Sequence, residues 1–253
     1  MNETMKLNLC IAEGADPAAA AQITERFPHD GTAGLTLRLD ESGLALLADD
    51  QVLQGDFTRM LPRLKHHNLT GELLVRAARI KEADHPLTAV DATAGLGEDS
   101  LLLAAAGFHV KLFEMTPVIH ALLSDALRRA AALPELSGIA ARMELHNAAS
   151  IAAMAGLGFT PDVILLDPMF PERRKSALVK NKLQMIQKLE FPCVDEAEML
   201  RTAMGAAPHK LIVKRPPKGP FLAGIKPDHS LTGKAVRFDC FVSPADRLHK
   251  FKF

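Results

Sequence analysis

Alternation of apolar and polar positions marks the first clear element of the chain. Leu35-Thr-Leu-Arg-Leu39 sets its leucines on one face of a strand, Asp40-Glu-Ser-Gly43 can turn, and Leu44-Ala-Leu-Leu47 resumes the apolar pattern. That sequence predicts a β-hairpin. A strand over 6–11 and a helix over 16–27, opened by Asp16-Pro17, precede it. These elements read as a small N-terminal α+β lobe over 1–67, with 68–253 as the larger domain.

From residue 68 the rhythm changes. The span 69–79 reads as a helix, and short apolar segments at 88–90, 110–113, 143–145, 163–166 and 211–213 alternate with spans long enough for crossover helices. In one of these, 117–131, Val118, Leu122, Leu123, Ala126 and Leu127 share a helical stripe. Strands that are apolar throughout are buried on both faces, so the fold class predicted is α/β, with a mostly parallel, Rossmann-like sheet between helices. Pro216-Pro217-Lys-Gly219-Pro220 must be a loop, and 234–242 suits a final, antiparallel strand.

Composition narrows the class. With 253 residues and 48% hydrophobic content the chain can bury a sizeable core. Lys plus Arg equals Asp plus Glu at 30 each, so any nucleic-acid binding must be local. Without Trp or Tyr, base stacking falls to Phe, His and Arg. Cys10, Cys193 and Cys240 are too far apart to suggest a disulfide framework or clustered zinc ligands, and His66 and His67 lack partners at metal-ligand spacing. No basic leader and no bilayer-length apolar run stand out, so a cytoplasmic protein without metal or membrane anchor is expected.

The candidate chemistry begins at Asp91-Ala-Thr-Ala-Gly95-Leu-Gly97, which follows the strand at 88–90. Open α/β sheets bind ligands beyond the carboxyl ends of their strands, where a glycine turn lets a ligand approach backbone. Gly95-x-Gly97-x-x-Ser100 partly matches a dinucleotide fingerprint, which keeps a nicotinamide-dependent oxidoreductase as the alternative of a different class. Charge favours another ligand. A pyrophosphate seeks exposed amides free of carboxylates, whereas Asp91, Glu98 and Asp99 crowd this turn. They would attract the ammonium and complement the sulfonium of S-adenosylmethionine. Glu114 closes the next strand at the offset where a carboxylate meets ribose hydroxyls. Ala149 and Ser150 follow the third strand and could border an adenine.

A second motif, Asp167-Pro168-Met169-Phe170-Pro171, ends the strand at 163–166. An amine conjugated with a ring is a poor nucleophile, so a site must hold it in line with the donor. Asp167 and the Pro168 carbonyl can accept its hydrogens, and Phe170 can stack on a base. The run resembles the Asp/Asn-Pro-Pro-aromatic signature of amino methyltransferases, with Met169 as a departure; the motif alone leaves adenine N6, cytosine N4 and protein amides open as acceptors. After it come Arg173, Arg174, Lys175 and Lys180, and Lys214-Arg215 ends the strand at 211–213. These cations are candidate RNA contacts.

Taken together, the motifs at 91–99, Glu114 and 166–171, with Lys175-Ser-Ala-Leu-Val-Lys180 and Val213-Lys-Arg-Pro216, resemble the RsmJ family of small-subunit ribosomal RNA guanine-N2 methyltransferases. The resemblance implies a class I methyltransferase fold, S-adenosylmethionine as donor, and a guanine N2 in ribosomal RNA as acceptor. Position by position, it implies cofactor contacts at Glu98, Asp99, Glu114, Met115, Ala149, Ser150 and Asp167. Glu98 stands where the family usually has Arg, and 65–72 replaces a glycine-rich basic segment.

Overall fold

The computed structural model describes residues 7–27, 34–48, 51–81, 83–168 and 195–243, which build two sheets. The first holds β1 (Asn8–Ile11), β2 (Leu35–Asp40), β3 (Gly43–Ala48) and β4 (Gln51–Gln54) in that order, with α1 (Pro17–Arg26) between β1 and β2. Leu35, Leu37 and Leu39 are buried while Thr36, Arg38 and Asp40 are partly exposed, as the alternation requires. Strands β2 and β3 form the predicted hairpin, with Asp40 paired to Gly43. Asp40 accepts from the Ser42 N–H at 2.9 Å and hydroxyl at 2.5 Å, closing the turn. Gly43 has a φ of 107°, and a Cβ there would collide with the Asp125 and Arg129 side chains. Strand β4 has two apolar residues in four and gives the sequence pattern nothing to register.

Next come a 3-10 turn (Phe57–Met60), α2 (Leu61–Leu64), α3 (His66–Leu69) and α4 (Leu73–Ala78), so the single helix expected over 69–79 is two short ones. Thr70 and Gly71 make the break. The Gly71 N–H turns back to the Asn68 carbonyl and the Glu72 N–H to the Leu69 carbonyl, while Thr70 spends its hydroxyl on the His66 carbonyl.

The second sheet contains β5 (Thr88–Asp91), β6 (His109–Phe113), β7 (Met143–His146), β8 (Val163–Leu166), β9 (Lys210–Arg215), β10 (His229–Thr232) and β11 (Arg237–Val242). Between them run α5 (Glu98–Ala105), α6 (Pro117–Ala131), α7 (Pro134–Ala140), α8 (Ser150–Ala155) and α9 (Glu196–Gly205). The order across the sheet is β10-β11-β9-β8-β5-β6-β7. Strands β5 to β9 are parallel, and β11 lies antiparallel to both its neighbours. Period-two alternation splits the buried strands between two cores. Val163 and Leu165 pack with Leu101, Leu102 and Leu103 of α5, and Ile164 and Leu166 with Met199 and Leu200 of α9. The predicted helix-covered sheet is therefore observed.

Helix α6 serves both sheets. Val118 and Leu122 join the core of the first with Leu37, Leu39 and Leu44, while Leu123 and Ala126 face the core of the second. One sequence stripe thus divides between two cores, which a hydrophobic run wider than a single face permits. Among the described residues no helix is long and apolar enough to cross a membrane, and no group of three or more His, Cys, Asp or Glu could hold a metal ion.

Candidate active site

The order in which successive strands are placed reverses between β5 and β8, the switch point beyond whose carboxyl ends open α/β sheets form their ligand crevice. The loop after β5 fills its floor. The Ala92 N–H donates to the Leu165 carbonyl at 3.0 Å and the Ala94 N–H to the Phe113 carbonyl at 3.1 Å, so the loop is tied to both neighbouring strands. Gly95 and Gly97 adopt φ of 55° and 77°, the left-handed region. At Gly97 a Cβ would also stand 2.7 Å from Leu123 Cδ1, so packing and backbone both demand glycine. At Gly95 the nearest atom to such a Cβ is 4.0 Å away, leaving room for a ligand against the backbone.

Asp91 lies beneath this loop. It is 2% exposed and accepts from the Ser100 hydroxyl at 2.6 Å and the Thr93 N–H at 3.1 Å. Burial pushes its carboxyl up to about 7, against those two hydrogen bonds. These bonds brace the loop against α5. Because the folded carboxyl holds its proton between about pH 4 and 7 while the unfolded one has lost it, Asp91 costs stability as pH rises through that window. The stability of Asp91→Asn relative to the unsubstituted protein should therefore improve over that range, with a slope of at most about 1.4 kcal/mol per pH unit. Urea denaturation at several pH values checks this, and a pH-independent difference would refute it.

Glu98 and Asp99 open α5, Glu98 exposed and Asp99 partly so. Across the crevice, Glu114 accepts from the Thr116 N–H at 2.7 Å and the Gly95 N–H at 3.0 Å, which joins the end of β6 to the glycine loop. Burial raises its pKa against the pull of those amides, and a carboxylate has lone pairs left for further donors. Asn147 donates to the Glu114 carbonyl at 2.7 Å and the Met115 carbonyl at 3.2 Å. Arg26 of α1 in turn donates to Asn147 Oδ1 at 2.8 Å. Met115 stays 38% exposed beside them. Ala149 caps α8, and Ser150 begins it. Asn147 directly follows β7, a polar residue at the carboxyl end of a sheet strand, and could be found on that ground; Arg26 has no local signal at all.

Beyond β8, the Asp167 N–H donates to Thr93 Oγ1 at 2.6 Å, so the two candidate motifs touch through Thr93. Pro168 follows, partly exposed. Phe170, Arg173, Arg174, Lys175 and Lys180 lie outside the described residues.

The pair Lys214-Arg215, read in sequence as one basic patch, is split. Successive residues on a strand face opposite sides, and both side chains have work within the fold. Lys214 Nζ lies 2.6 Å from Asp99 Oδ2 and 2.9 Å from Asp167 Oδ2. Burial opposes its charge, but Asp99 and Asp167 outweigh it and hold the ammonium well above the usual lysine range. Arg215 is 2% exposed. It donates from Nε to the Pro220 carbonyl at 2.8 Å and faces Glu196. A buried guanidinium bracing the loop after β9 cannot meet a phosphate, which corrects the expected RNA contact. Arg237 shares the task, donating to the Pro217 and Gly219 carbonyls and to Asp239.

The crevice thus offers carboxylates at Glu98, Asp99 and Glu114 around an open glycine turn, with Lys214 already shared between two anions. Such a donor set fits a cationic ligand carrying hydroxyls and opposes a pyrophosphate.

Comparison with known proteins agrees. Residues 21–243 match the family described as "Putative SAM-dependent methyltransferase". Ribosomal RNA small subunit methyltransferase J of Marinobacter nauticus is 40% identical over 215 residues, 82% of this chain and 77% of that relative. The protein of the same name from Photorhabdus laumondii is 38% identical over 246 residues, 94% and 99% of the two chains. The crystal structure of a SAM-dependent methyltransferase from Neisseria gonorrhoeae aligns with a TM-score of 0.74 at 32% identity, over 93% of this chain and 96% of that one. The fold is accordingly the class I, Rossmann-like one expected, and the chain belongs to the S-adenosylmethionine-dependent methyltransferase family that includes ribosomal RNA small subunit methyltransferase J.

Proposed function

We propose that this enzyme methylates the exocyclic N2 of a guanine in small-subunit ribosomal RNA, acting in the cytoplasm. The observation that carries the reading is the contact of the two motifs: Asp167 is held at the glycine loop through Thr93 and through Lys214. The names of the relatives supply the RNA class, and the resemblance of the motifs supplies the guanine N2.

When bound, S-adenosylmethionine supplies an activated methyl group on a sulfonium, so no general base is needed before attack. Gly95 lets the donor approach the loop backbone, and Gly97 holds the turn against Leu123. Glu114 accepts ribose hydroxyls, Glu98 and Asp99 complement the positive charge, and Met115, Ala149 and Ser150 border the adenine. Asp167 and the Pro168 carbonyl accept the hydrogens of the target amine and aim its lone pair. Phe170 stacks on the flipped base, while Arg173, Arg174, Lys175 and Lys180 meet backbone phosphates. The division into an N-terminal lobe over 1–67 and a methyltransferase domain over 68–253 belongs to the same proposal; the first sheet gathers its own cluster around Leu37, Leu39 and Leu44, closed by Val118 and Leu122 of α6.

Calorimetric titration with S-adenosylhomocysteine and with NAD, paired with transfer of a radiolabelled methyl group to small-subunit ribosomal RNA, tests the reading. Binding of S-adenosylhomocysteine and labelled RNA are expected. Tight NAD binding with no response to S-adenosylhomocysteine would overturn it.

A further inference from the structure

We infer that Lys214 is a positioning residue of the transfer reaction: its ammonium ties Asp167 on the acceptor side to Asp99 on the donor side and so sets the aim of the carboxylate that receives the amine. The inference rests on the proposed function for the role of Asp167, while the linkage itself can be tested without turnover.

Three strands of geometry meet at this ammonium. Lys214 stands on β9, where Val213 pairs with Leu166, so its stem starts beside Asp167. Asp99 comes from the first turn of α5, on the far side of β8. Nζ reaches both, at 2.9 and 2.6 Å, with side-chain exposure of 29%. An ammonium has three donors and these contacts use two, both as charge-assisted hydrogen bonds in a half-buried place.

Charge makes the position consequential. Asp167 shares its surroundings with Asp91 beneath the loop and Asp99 on α5, both of which act electrostatically across this crevice. Arg215, on the opposite side of β9, acts on it only at longer range. Arg63, paired with Glu72 at 2.7 and 2.9 Å, interacts with Asp99 and Glu98 from the segment over α5. Lys214 is in direct contact with Asp167, at 2.9 Å. Without it, Asp99 and Asp167 would lose the ammonium they share, at a place where Asp167 must stay ionised and aimed. A cation directed inward at two carboxylates is also poorly placed for a phosphate, so its contribution falls on turnover and leaves RNA affinity alone.

The test compares the unsubstituted protein, Lys214→Met and Lys214→Arg. In Lys214→Met, kcat should fall by about ten- to a hundredfold, the effect of a misaimed reacting group. The acid limb of its pH–rate profile should move up by about one unit. Affinity for S-adenosylhomocysteine should stay within about threefold, and the salt dependence of RNA binding should be unchanged. Lys214→Arg keeps the charge, so its acid limb should stay in place although the different shape of the guanidinium slows transfer. Lost S-adenosylhomocysteine binding, or slower turnover with an unmoved pH profile in Lys214→Met, would make the residue merely structural and overturn the inference. An unchanged kcat with a salt slope lower by about one would reassign Lys214 to a phosphate contact. Carbon-13 NMR of the Asp carboxyls, with Asp167 assigned through Asp167→Asn, reads the linkage without substrate. The Asp167 signal should titrate at higher pH in Lys214→Met, and an unchanged titration overturns the inference whatever the turnover. If the titration moves as expected but the unsubstituted protein labels no RNA, the proposed function has failed and the linkage stands.

Discussion

Replacing Asp167 by Ala should lower methyl transfer by about a hundredfold or more while the protein still folds and binds S-adenosylhomocysteine. The side chain is 40% exposed, so its removal opens no cavity in the core. The contact that fixes the loop uses the Asp167 backbone N–H and Thr93 Oγ1, which the substitution leaves in place. Lys214 loses one carboxylate but keeps Asp99 at 2.6 Å. What disappears is the acceptor for the amine hydrogens, needed when the lone pair must point along the methyl–sulfur axis. Asp167→Asn, which keeps an acceptor oxygen without the charge, should retain more activity than the Ala variant. Single-turnover rates with saturating RNA check both, and normal turnover in Asp167→Ala would remove the residue from the reaction.

Asp125→Ala should cost about 3 kcal/mol of stability at neutral pH, the low end for removing one partner of a buried charge cluster. Asp125 accepts from the Leu44 N–H at 2.9 Å and pairs with Arg129 and Arg128 at 2.8 Å each, fastening the hairpin of the first sheet to α6. Arg129 also donates to the Gly55 carbonyl. Burial alone would raise the Asp125 pKa, but the Leu44 amide and the two guanidiniums outweigh it and hold the carboxyl below its usual range. The stabilisation is thus fully present above the unfolded pKa of about 4 and is lost as pH falls through the lower folded value. Urea unfolding at neutral pH should show the full deficit, and the deficit should shrink below about pH 4. A loss under about 1 kcal/mol at neutral pH would mean that the hairpin is held by its apolar contacts alone.

Sequence pattern captured the parts of the molecule whose residues answer to one local rule. Strands β5, β8 and β9 announce themselves because both their faces are largely buried, and Gly95 and Gly97 because left-handed backbone needs glycine. Strand β10, with Leu231 as its apolar residue, lies at a sheet edge and carries no such signal. At the site, residue identity was legible and disposition was not. By sequence Asp91 belongs with the carboxylates around the turn, yet burial and the Ser100 hydroxyl place it under the loop. Lys214 and Arg215 are adjacent in sequence but opposed in space, one joining Asp99 to Asp167 and the other buried beside Glu196. The reach of Arg26 from α1 to Asn147 depends on how the two sheets pack, which no local pattern encodes.

The central claim is the identity of the acceptor atom. Small-subunit ribosomal RNA from a strain lacking this protein, cut into oligonucleotides by a base-specific ribonuclease and analysed by mass spectrometry, tests it most directly. N2-methylguanosine should be missing from one position and should return when the purified protein and S-adenosylmethionine are added. Loss and return of N6-methyladenosine or N4-methylcytidine instead, or an unchanged oligonucleotide map, would contradict the account.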